Sequence, residues 1–480
     1  MDEQAILRVI SNEFNTHWET GGVPESRALN FKRRDFFTIM EQLENEKITS
    51  VIGPRRVGKT TIMFQMVEHL VKEGKIDKKR VIYASMDNAY LQNASDEVIR
   101  DVLAVYSRHI LKEELSSLKD RIYVFLDEIQ YVDDWQKKLK SWFDYKYKIK
   151  FIVSGSSSVM IQKGAAHLIG RIHERIIFPL KFSDALDYGK GKREYSNIGK
   201  QLRESFRNSA IKKDGSYFWK EISSLSYELT KRMTEMEHVL AEFLIKGGYP
   251  ELLGKKNYAE CALELKDTIL SKSILDIVER HKIRNVGLLR YLIALIASKS
   301  GSRLTHLGIS QDLGIERPTV VSHMEYLENA FLISKSGFYS KKLPVAERKE
   351  KKYYINDIGM RNSMVGMMSE TLLKSPEAGI AAETAAFDHT KRLKFFLSRH
   401  QNTDVSYWHS DAGEVDMVLD TGPIPIEVKY QARISESDTT AMSYFIRKHK
   451  SPFGIVVTRN ELRQSDKIFF LPLSIYLLMC

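Results

Sequence analysis

The stretch Gly53-Pro54-Arg55-Arg56-Val57-Gly58-Lys59-Thr60-Thr61 decides how this chain is interpreted. An apolar run at 48–52 precedes it and predicts a buried strand, and residues 62–70 repeat apolar side chains at helical spacing. Strand, glycine loop and helix in this order are the context of a phosphate-binding loop. Gly53 and Gly58 let backbone N–H groups point inward, where the helix N-terminus adds partial positive charge. We expect Lys59 to reach the terminal phosphates of a bound nucleoside triphosphate and the Thr60 hydroxyl to hold Mg²⁺.

Composition narrows the class of protein. The chain has 480 residues, 43% of them hydrophobic and 28% charged, which predicts two to four ordinary globular domains. Two cysteines, far apart, exclude a disulfide framework and favour a reducing cytoplasm. The acidic start lacks the layout of a signal peptide, and no apolar run is long enough for a membrane span. We therefore expect a cytoplasmic protein without a membrane partner.

The formal net charge of +11 and the pI near 9.2 favour an anionic partner, although such a balance also serves solubility alone. The distribution of the charge along the chain is therefore more informative than its sum.

A second motif lies downstream of the glycine loop. Residues 121–126 form an apolar strand candidate that ends in Asp127 and Glu128. We expect Asp127 to complete the Mg²⁺ shell and Glu128 to polarise the attacking water as a general base. Two acids after an apolar run are common at strand ends. Their distance from a phosphate-binding loop, with a strand and a helix between, is what makes the pattern specific.

Two further groups are candidates for contact with the terminal phosphate. The next strand candidate, 150–153, runs into Ser154-Gly155-Ser156-Ser157-Ser158. In a parallel sheet its carboxyl end would lie beside the glycine loop, so Ser154 or Ser156 is a candidate sensor; a helix N-cap is the equally weighted alternative. Arg171 or Arg175 is a candidate arginine finger or phosphate sensor, and a solvated surface arginine is nearly as good an interpretation.

These motifs together resemble an archaeal and bacterial AAA+ ATPase family whose C-terminal region was long called a domain of unknown function. The resemblance covers almost the whole chain, and it includes Trp135, Pro179-Leu180-Lys181-Phe182-Ser183 and Gly247-Gly248-Tyr249-Pro250-Glu251. It implies ATP and Mg²⁺ as ligands. Since AAA+ sites are often completed by an arginine of a neighbour, it also leaves a ring or dimer open. Residues 189–240 have no counterpart in the family, and we interpret them as an insertion on the ATPase domain or a partner surface.

A helix-turn-helix pattern follows at 288–330. Two short helices flank the turn at 314–316, and Pro318 lies in the first turn of the second helix. Candidate groove contacts on that helix are Arg317, Thr319, Ser322 and His323. A predicted β-hairpin wing spans 332–355, and the basic residues at and beside its tip are Lys341, Lys342, Arg348, Lys349, Lys351 and Lys352. Such a tip suits DNA phosphates, although winged helices also bind proteins.

The last segment carries a third constellation. Asp416 and Glu427 lie on two predicted strands of a hairpin, Lys429 shares a face with Glu427, and Glu383 lies on an upstream helix. Three carboxylates and one lysine would converge and could hold one or two Mg²⁺ or Mn²⁺ ions for phosphodiester hydrolysis. This arrangement resembles the PD-(D/E)xK restriction-endonuclease-like fold, with the proline of the motif absent. The alternative is a hairpin with a surface salt bridge, and such folds also serve as inactive DNA-binding platforms.

The sequence thus predicts an α/β fold: an AAA+ P-loop domain with a parallel sheet and helical lid, a winged helix-turn-helix, and a restriction-endonuclease-like α/β domain. We expect an N-terminal helical segment at 1–46, the ATPase domain at 47–188 and a helical insertion or lid at 189–280. The winged helix would span 281–365 and the nuclease-like domain 366–480.

The favoured function is an Mg²⁺-dependent ATPase that remodels or translocates double-stranded or branched DNA, in the manner of a helicase or branch-migration enzyme of repair or recombination. One alternative is a metal-dependent endonuclease regulated by ATP. Another is a signalling or scaffold ATPase whose winged helix binds protein, which would show no salt-dependent DNA binding.

Overall fold

Five apolar segments within residues 1–178 form one parallel β-sheet in the computed structural model, which describes residues 2–92, 95, 97–156, 168, 170–398, 402–431 and 433–480. The chain divides into two compact units, 1–178 and 179–480. The strands of the first unit are β1 (Ile48–Ile52), β2 (Val81–Ser85), β3 (Ile122–Asp127), β4 (Ile149–Gly155) and β5 (Ile172–Ile176). They lie in the order β2-β3-β4-β1-β5. Every residue of β1 is buried, as expected for a strand covered on both faces.

Helices cover this sheet. The α-helices formed by the described residues of the first unit are Glu3–Arg8, His17–Thr20, Arg34–Met40, Lys59–Lys72, Ala89–Gln92, Val98–Tyr106 and Trp135–Asp144. The described residues of this unit also form two short π-helices, Val9–Phe14 and Ser107–Leu111. Short 3₁₀ helices lie at Lys78–Arg80, Leu115–Ser117 and Ile129–Tyr131. The parallel register sets Val51 of β1 opposite Ser154 of β4. The carboxyl ends of the strands, with their polar residues, therefore meet at one edge of the sheet.

The N-terminal segment protects the outer strand β2. The Asn15 side chain accepts a hydrogen bond from the Tyr83 backbone N–H (2.7 Å) and donates one to its carbonyl oxygen (2.8 Å). The Trp18 indole N–H donates to the Val81 carbonyl oxygen at 2.8 Å. These side chains thus pair with backbone N–H and C=O groups of an edge strand, which would otherwise be available to form hydrogen bonds with a strand of another chain.

The second unit contains a nine-stranded mixed sheet in the order β13-β14-β12-β11-β10-β9-β7-β8-β6. Its strands are β6 (Arg303–Leu304), β7 (Ile333–Phe338), β8 (Lys351–Ile355), β9 (Ser406–Ser410), β10 (Gly413–Leu419), β11 (Ile424–Lys429), β12 (Gly454–Thr458), β13 (Arg463–Ser465) and β14 (Ile468–Pro472). Strand β7 pairs in parallel with β9, so Gly337 lies opposite Ser406. The strands predicted for a wing and those predicted for a nuclease-like domain therefore share one sheet.

The α-helices of this unit are Phe182–Asp187, Glu194–Lys212, Ser216–Ser224, Ser226–Lys246, Tyr258–Leu263, Ser271–His281, Val286–Ser298, His306–Leu313, Arg317–Asn329, Leu343–Arg348, Ile358–Val365, Glu377–Leu397, Thr440–His449 and Leu473–Met479. A short π-helix lies at Glu264–Leu270, and short 3₁₀ helices lie at Pro250–Leu252, Glu370–Lys374 and Ser437–Thr439. Among the described residues no helix has the length and apolar character that crossing a membrane requires.

The segment without a counterpart in the resembled family packs into this second unit. Phe206 and Phe218, from the helices that begin at Glu194 and Ser216, bury their rings with Phe453 and Phe469 of the C-terminal sheet. This placement differs from the predicted grouping of 189–280 with the ATPase domain. The reason is the apolar faces of these helices, which complete a core built on the last hundred residues.

This packing predicts a large stability loss when Phe218, 1% exposed, is shortened. We expect Phe218→Ala to lower the free energy of unfolding by about 3–5 kcal/mol, because the cavity would lie among three aromatic rings. Tyr217→Ala is the matched control, since Tyr217 is 42% exposed and its loss should stay within about 0.5 kcal/mol. Urea unfolding followed by circular dichroism measures both, and equal losses would contradict the packing described here.

Candidate functional site

The loop between β1 and the helix Lys59–Lys72 has the backbone that its glycines predict. Gly58 has φ 91°, and a Cβ added to Gly53 would lie 2.1 Å from the carbonyl oxygen of Ile177. Only glycine fits at position 53, and the left-handed conformation favours glycine at 58. Of the remaining loop residues, Pro54 and Val57 are buried and Arg55, Arg56 and Thr61 are half-exposed.

Lys59 and Thr60 lie at the start of the helix. The buried Lys59 ammonium donates hydrogen bonds to the carbonyl oxygens of Gly53 (3.1 Å) and Pro54 (2.9 Å). The exposed Thr60 hydroxyl donates to Asp127 Oδ2 at 2.6 Å. A hydroxyl and a carboxylate that meet in this way form an all-oxygen donor set of the kind Mg²⁺ prefers, so these two residues fit the predicted ion.

Asp127 and Glu128 end β3 at the same edge. The Ser154 hydroxyl contacts Asp127 Oδ1, and the Glu128 backbone N–H donates to Ser154 Oγ at 3.2 Å. Gln130 holds the Glu128 carboxylate and donates to Ser156 Oγ at 3.3 Å. Burial raises the pKa of Glu128, Asp127 adds to the rise, and the Lys59 charge opposes it. A carboxylate with a raised pKa is suited to general-base catalysis near neutral pH.

Two residues of this site have no signal in the sequence that singles them out. The Tyr83 hydroxyl donates to Asp127 Oδ2 at 2.6 Å, from the neighbouring strand β2. The Arg33 guanidinium donates to the carbonyl oxygens of Val57 (3.0 Å) and Phe178 (2.9 Å) and so fixes the glycine loop from behind. Tyr83 occupies a position in a parallel strand, and the sequence does not predict which strand will lie beside β3.

The Tyr83 contact yields a testable expectation. Burial and the charge of Asp127 raise the pKa of Tyr83, so its hydroxyl stays protonated and donates to the carboxylate. We expect Tyr83→Phe to lower kcat/KM for ATP about tenfold, the loss of one hydrogen bond to a charged group. The ring stacks on Phe64 at 4.4 Å, and phenylalanine keeps that contact. Steady-state ATPase kinetics with thermal unfolding as the folding check would measure the effect; an unchanged kcat/KM would contradict it.

Arg171 is placed differently from its prediction. Its carbonyl oxygen accepts a hydrogen bond from Ile48 N, at the beginning of β1, so it lies at the opposite edge of the sheet from the glycine loop. Its guanidinium donates to Asp144 at 2.8 Å. Arg171 therefore does not reach the nucleotide site of its own chain, because β5 runs parallel to β1 and only its carboxyl end approaches that site. Ser157 and Ser158 lie outside the described residues.

The structure places three residues of the acidic constellation of the second unit, Asp416, Glu427 and Lys429, next to one another. Asp416 on β10 accepts a hydrogen bond from the backbone N–H of Val428 (2.9 Å), and Glu427 accepts one from that of Asp416 (3.2 Å). Lys429 pairs with Glu427 at 2.9 Å. Burial and then Asp416 raise the pKa of Glu427 to about 8. Two carboxylates of the hairpin are therefore held side by side by backbone N–H groups.

Glu383 meets a different partner from the one predicted. Its carboxylate accepts a hydrogen bond from the Tyr354 hydroxyl at 2.8 Å and lies 3.7 Å from the Lys352 ammonium. The same ammonium contacts Glu414 and lies 3.4 Å from Asp416 Oδ1. Lys352, predicted as a DNA contact, is instead 2% exposed among three acids, which corrects that assignment.

This placement also bears on the metal predicted for Glu383, Asp416 and Glu427. Among the residues that the structure describes, no group of three His, Cys, Asp or Glu side chains is arranged to hold a metal ion. The physical reason is the ammonium of Lys352, which lies where the oxygens of Glu383 and Asp416 approach each other. As placed, this donor set does not fit a divalent ion.

The predicted groove contacts are also only partly available. His323 is buried and its Nδ1 lies 2.8 Å from the Thr319 carbonyl oxygen, which the Ser322 hydroxyl also contacts at 3.0 Å. Thr319 and His323 line a cavity of about 510 Å³ together with His281, Ile283, Arg284 and Asn285. His323 is therefore removed from the set of groove contacts, because its side chain is buried and its Nδ1 contacts the backbone of its own helix; Arg317 remains exposed.

The predicted hairpin tip is a short helix, Leu343–Arg348, with Pro344 in its first turn. We call the exposed cations at its two ends the basic wing surface: Lys341, Lys342, Arg348 and Lys349. The acids of the tip, Glu347 and Glu350, lie 3.5 Å from Lys351 and 3.7 Å from Arg303, respectively.

The basic wing surface continues onto the helix Thr440–His449. The His449 ring lies 5.3 Å from that of Tyr339, just before the tip, and burial and then the charges of Lys448 and Lys341 lower the pKa of His449. Lys448 lies over the ring of Tyr444, which is 38% exposed. Cations next to an exposed aromatic ring suit a ligand that carries both negative phosphate groups and flat bases able to stack on the ring.

The glycine loop, the acidic end of β3 and the order of the parallel sheet define the first unit as a P-loop domain of the AAA type. Residues 45–186 match the family model described as an AAA domain, which confirms that prediction. Residues 237–371 and 378–476 match two models described as domains of unknown function, DUF8612 and DUF4143.

Similar proteins are known in a bacterium and an archaeon. An uncharacterized protein of Haemophilus influenzae is 24% identical over 352 residues, which cover 71% of this chain and 75% of that protein. Two uncharacterized proteins of Methanocaldococcus jannaschii are 27% identical over 381 residues (78% of this chain, 72% of the relative) and 22% identical over 460 residues (93% and 89%).

Among solved structures, the crystal structure of Cdc6p from Pyrobaculum aerophilum aligns with 74% of this chain and 98% of its own, at 11% identity and a TM-score of 0.26. The assignment to the AAA class rests on the family model and on the geometry described above.

Proposed function

We propose that this protein is an Mg²⁺-dependent ATPase that binds DNA through its second unit and uses hydrolysis to remodel or translocate it, with branched or forked DNA as the candidate substrate. The observation that carries the proposal is the meeting of Lys59, Thr60, Asp127 and Glu128 at one edge of the parallel sheet.

Each residue has a distinct task in this proposal. The backbone N–H groups of 53–58 and the Lys59 ammonium bind the phosphates, and Lys59 exchanges its bonds to the loop carbonyls for bonds to phosphate oxygens. Thr60 and Asp127 would hold Mg²⁺, which when bound would neutralise charge on the transferred group. Glu128 accepts a proton from the attacking water.

The DNA part of the proposal rests on the basic wing surface. Four exposed cations at one tip, continued by the exposed Lys448 on the helix Thr440–His449, suit the phosphate backbone. Phosphate contacts set affinity without reading sequence, which fits a protein that acts on DNA shape. The buried position of His323 removes one of the four candidate base contacts of the second helix.

The proposal is tested by ATPase rates of the purified protein with linear, forked and four-way DNA. We expect DNA to stimulate hydrolysis in the wild type and Lys59→Ala to abolish it. Lys72→Ala, an exposed lysine at the other end of the same helix, is the matched control and should behave as wild type. Hydrolysis that no DNA stimulates, with no salt-dependent DNA binding, would overturn the DNA assignment and favour a signalling or scaffold ATPase.

A further inference from the structure

The acidic cluster of the second unit carries an inference that does not depend on ATP hydrolysis or on DNA binding. It consists of Glu383 from the helix Glu377–Leu397, Glu414 and Asp416 from β10, and Glu427 from β11. Glu414 and Asp416 are two residues apart and so face the same side of the sheet. The side chains of Glu427, Asp416 and Glu383 are 7%, 13% and 23% exposed, and that of Glu414 is 33% exposed, so the cluster is mostly buried. A buried cluster of this kind requires a cation nearby.

The chain supplies that cation itself. The Lys352 ammonium contacts Glu414 and lies 3.4 Å from Asp416 and 3.7 Å from Glu383, with its side chain 3% exposed. Burial alone lowers the pKa of a lysine, but Asp416, Glu383 and Glu414 raise it, and the net shift of the Lys352 pKa is upward. Three carboxylates lie within 3.7 Å of the Lys352 ammonium, and this geometry favours its charged form.

The position of Lys352 is fixed by its surroundings. Tyr354, two residues along the same strand β8, donates to Glu383 at 2.8 Å, so this strand contributes two groups to the cluster. Gly301 packs against Glu383 from another side, where an added Cβ would lie 2.8 Å from its carboxylate. The ammonium also lies 5.7 Å from the centre of the Tyr407 ring on β9. The lysine of the motif, Lys429, is separate and pairs with Glu427.

We propose that the Lys352 ammonium is the resident cation of this cluster, in the place of a divalent metal ion. A divalent ion bound to Glu383 and Asp416 would have to displace a buried ammonium or share the carboxylates with it at a few ångströms, and like charges repel strongly in a buried site. The cluster therefore resembles a PD-(D/E)xK centre in the positions of its side chains but does not bind a metal ion. Lys352 connects the wing strand β8 to β10 and to the helix that carries Glu383.

The test counts Mn²⁺ ions bound to the full chain without nucleotide, by the electron paramagnetic resonance signal of free Mn²⁺. Wild type and Asp416→Asn should bind the same number, because the cluster takes no Mn²⁺ in either. Lys352→Met keeps the unbranched stem and removes the charge, and it should bind one Mn²⁺ more per chain. Lys352→Met/Asp416→Asn should lose that ion again.

Two results of the Mn²⁺ count would overturn the proposal. A wild type that binds one Mn²⁺ more than Asp416→Asn overturns the proposal, since Lys352 would then move aside for a metal. A folded Lys352→Met that gains no ion also overturns it. If Lys352→Met unfolds without metal, recovery of its circular dichroism in Mn²⁺ supports the proposal. If it does not fold under either condition, the comparison of wild type with Asp416→Asn still decides.

Discussion

Glu128→Gln should bind ATP as the wild type does and hydrolyse it about 10²–10⁴ times more slowly, the usual contribution of a general base. The substitution keeps the size of the side chain and leaves the hydrogen bonds of the Glu128 backbone N–H to Asp127 (3.0 Å) and Ser154 (3.2 Å) unchanged. Lys59, Thr60 and Asp127 are also untouched, so the phosphate and Mg²⁺ contacts remain. The measurement is single-turnover hydrolysis together with equilibrium binding of a fluorescent ATP analogue.

The matched control is Glu114→Gln, a change of the same chemistry at an exposed position of the first unit. It should leave both binding and hydrolysis as in the wild type. An equal loss of ATP binding and of rate in Glu128→Gln would show that the residue holds the loop together instead of acting on water. That result would move the role of general base to another group.

The phosphate-binding loop and the acidic strand end of the first unit are predictable because short local sequence patterns determine them. Gly53 and Gly58 define the loop, and the apolar run before Asp127 defines a buried strand whose carboxyl end must reach the same edge of a parallel sheet. The prediction for Arg171 fails because Arg171 directly precedes β5. It therefore lies at the amino end of that strand, whereas the glycine loop lies at the carboxyl ends of the strands. Tyr83 and Arg33 were not predictable, because their roles depend on which strand lies beside β3 and on which segment packs behind the loop.

The second unit is less predictable for a related reason. The hairpin of β10 and β11 and the helix of Glu383 follow from alternation and helical spacing. Nothing local to Lys352 distinguishes it from Lys351, because alternation along β8 does not say which face will meet the acids. That choice is made by the parallel pairing of β7 with β9, a contact between segments about 70 residues apart.

Neutralising the basic wing surface should weaken DNA binding in a way that depends on salt. We expect the quadruple variant Lys341→Gln, Lys342→Gln, Arg348→Gln and Lys349→Gln to reduce the slope of log K against log salt by up to about four, since each phosphate contact releases close to one counterion. The affinity loss should be greatest at low salt and should shrink as salt rises. Fluorescence anisotropy with a labelled duplex across a salt series measures both quantities.

The control removes the same formal charge elsewhere in the same unit: Lys200→Gln, Lys213→Gln, Lys220→Gln and Lys231→Gln, all exposed lysines of the helical segment 194–246. Its slope should match that of the wild type if the position of the charge matters. Equal reductions in both variants would mean that DNA responds only to net charge, which is +11 for the wild-type chain. Basal ATP hydrolysis without DNA should be the same in the wild type and both variants, because none of the eight positions lies in the first unit.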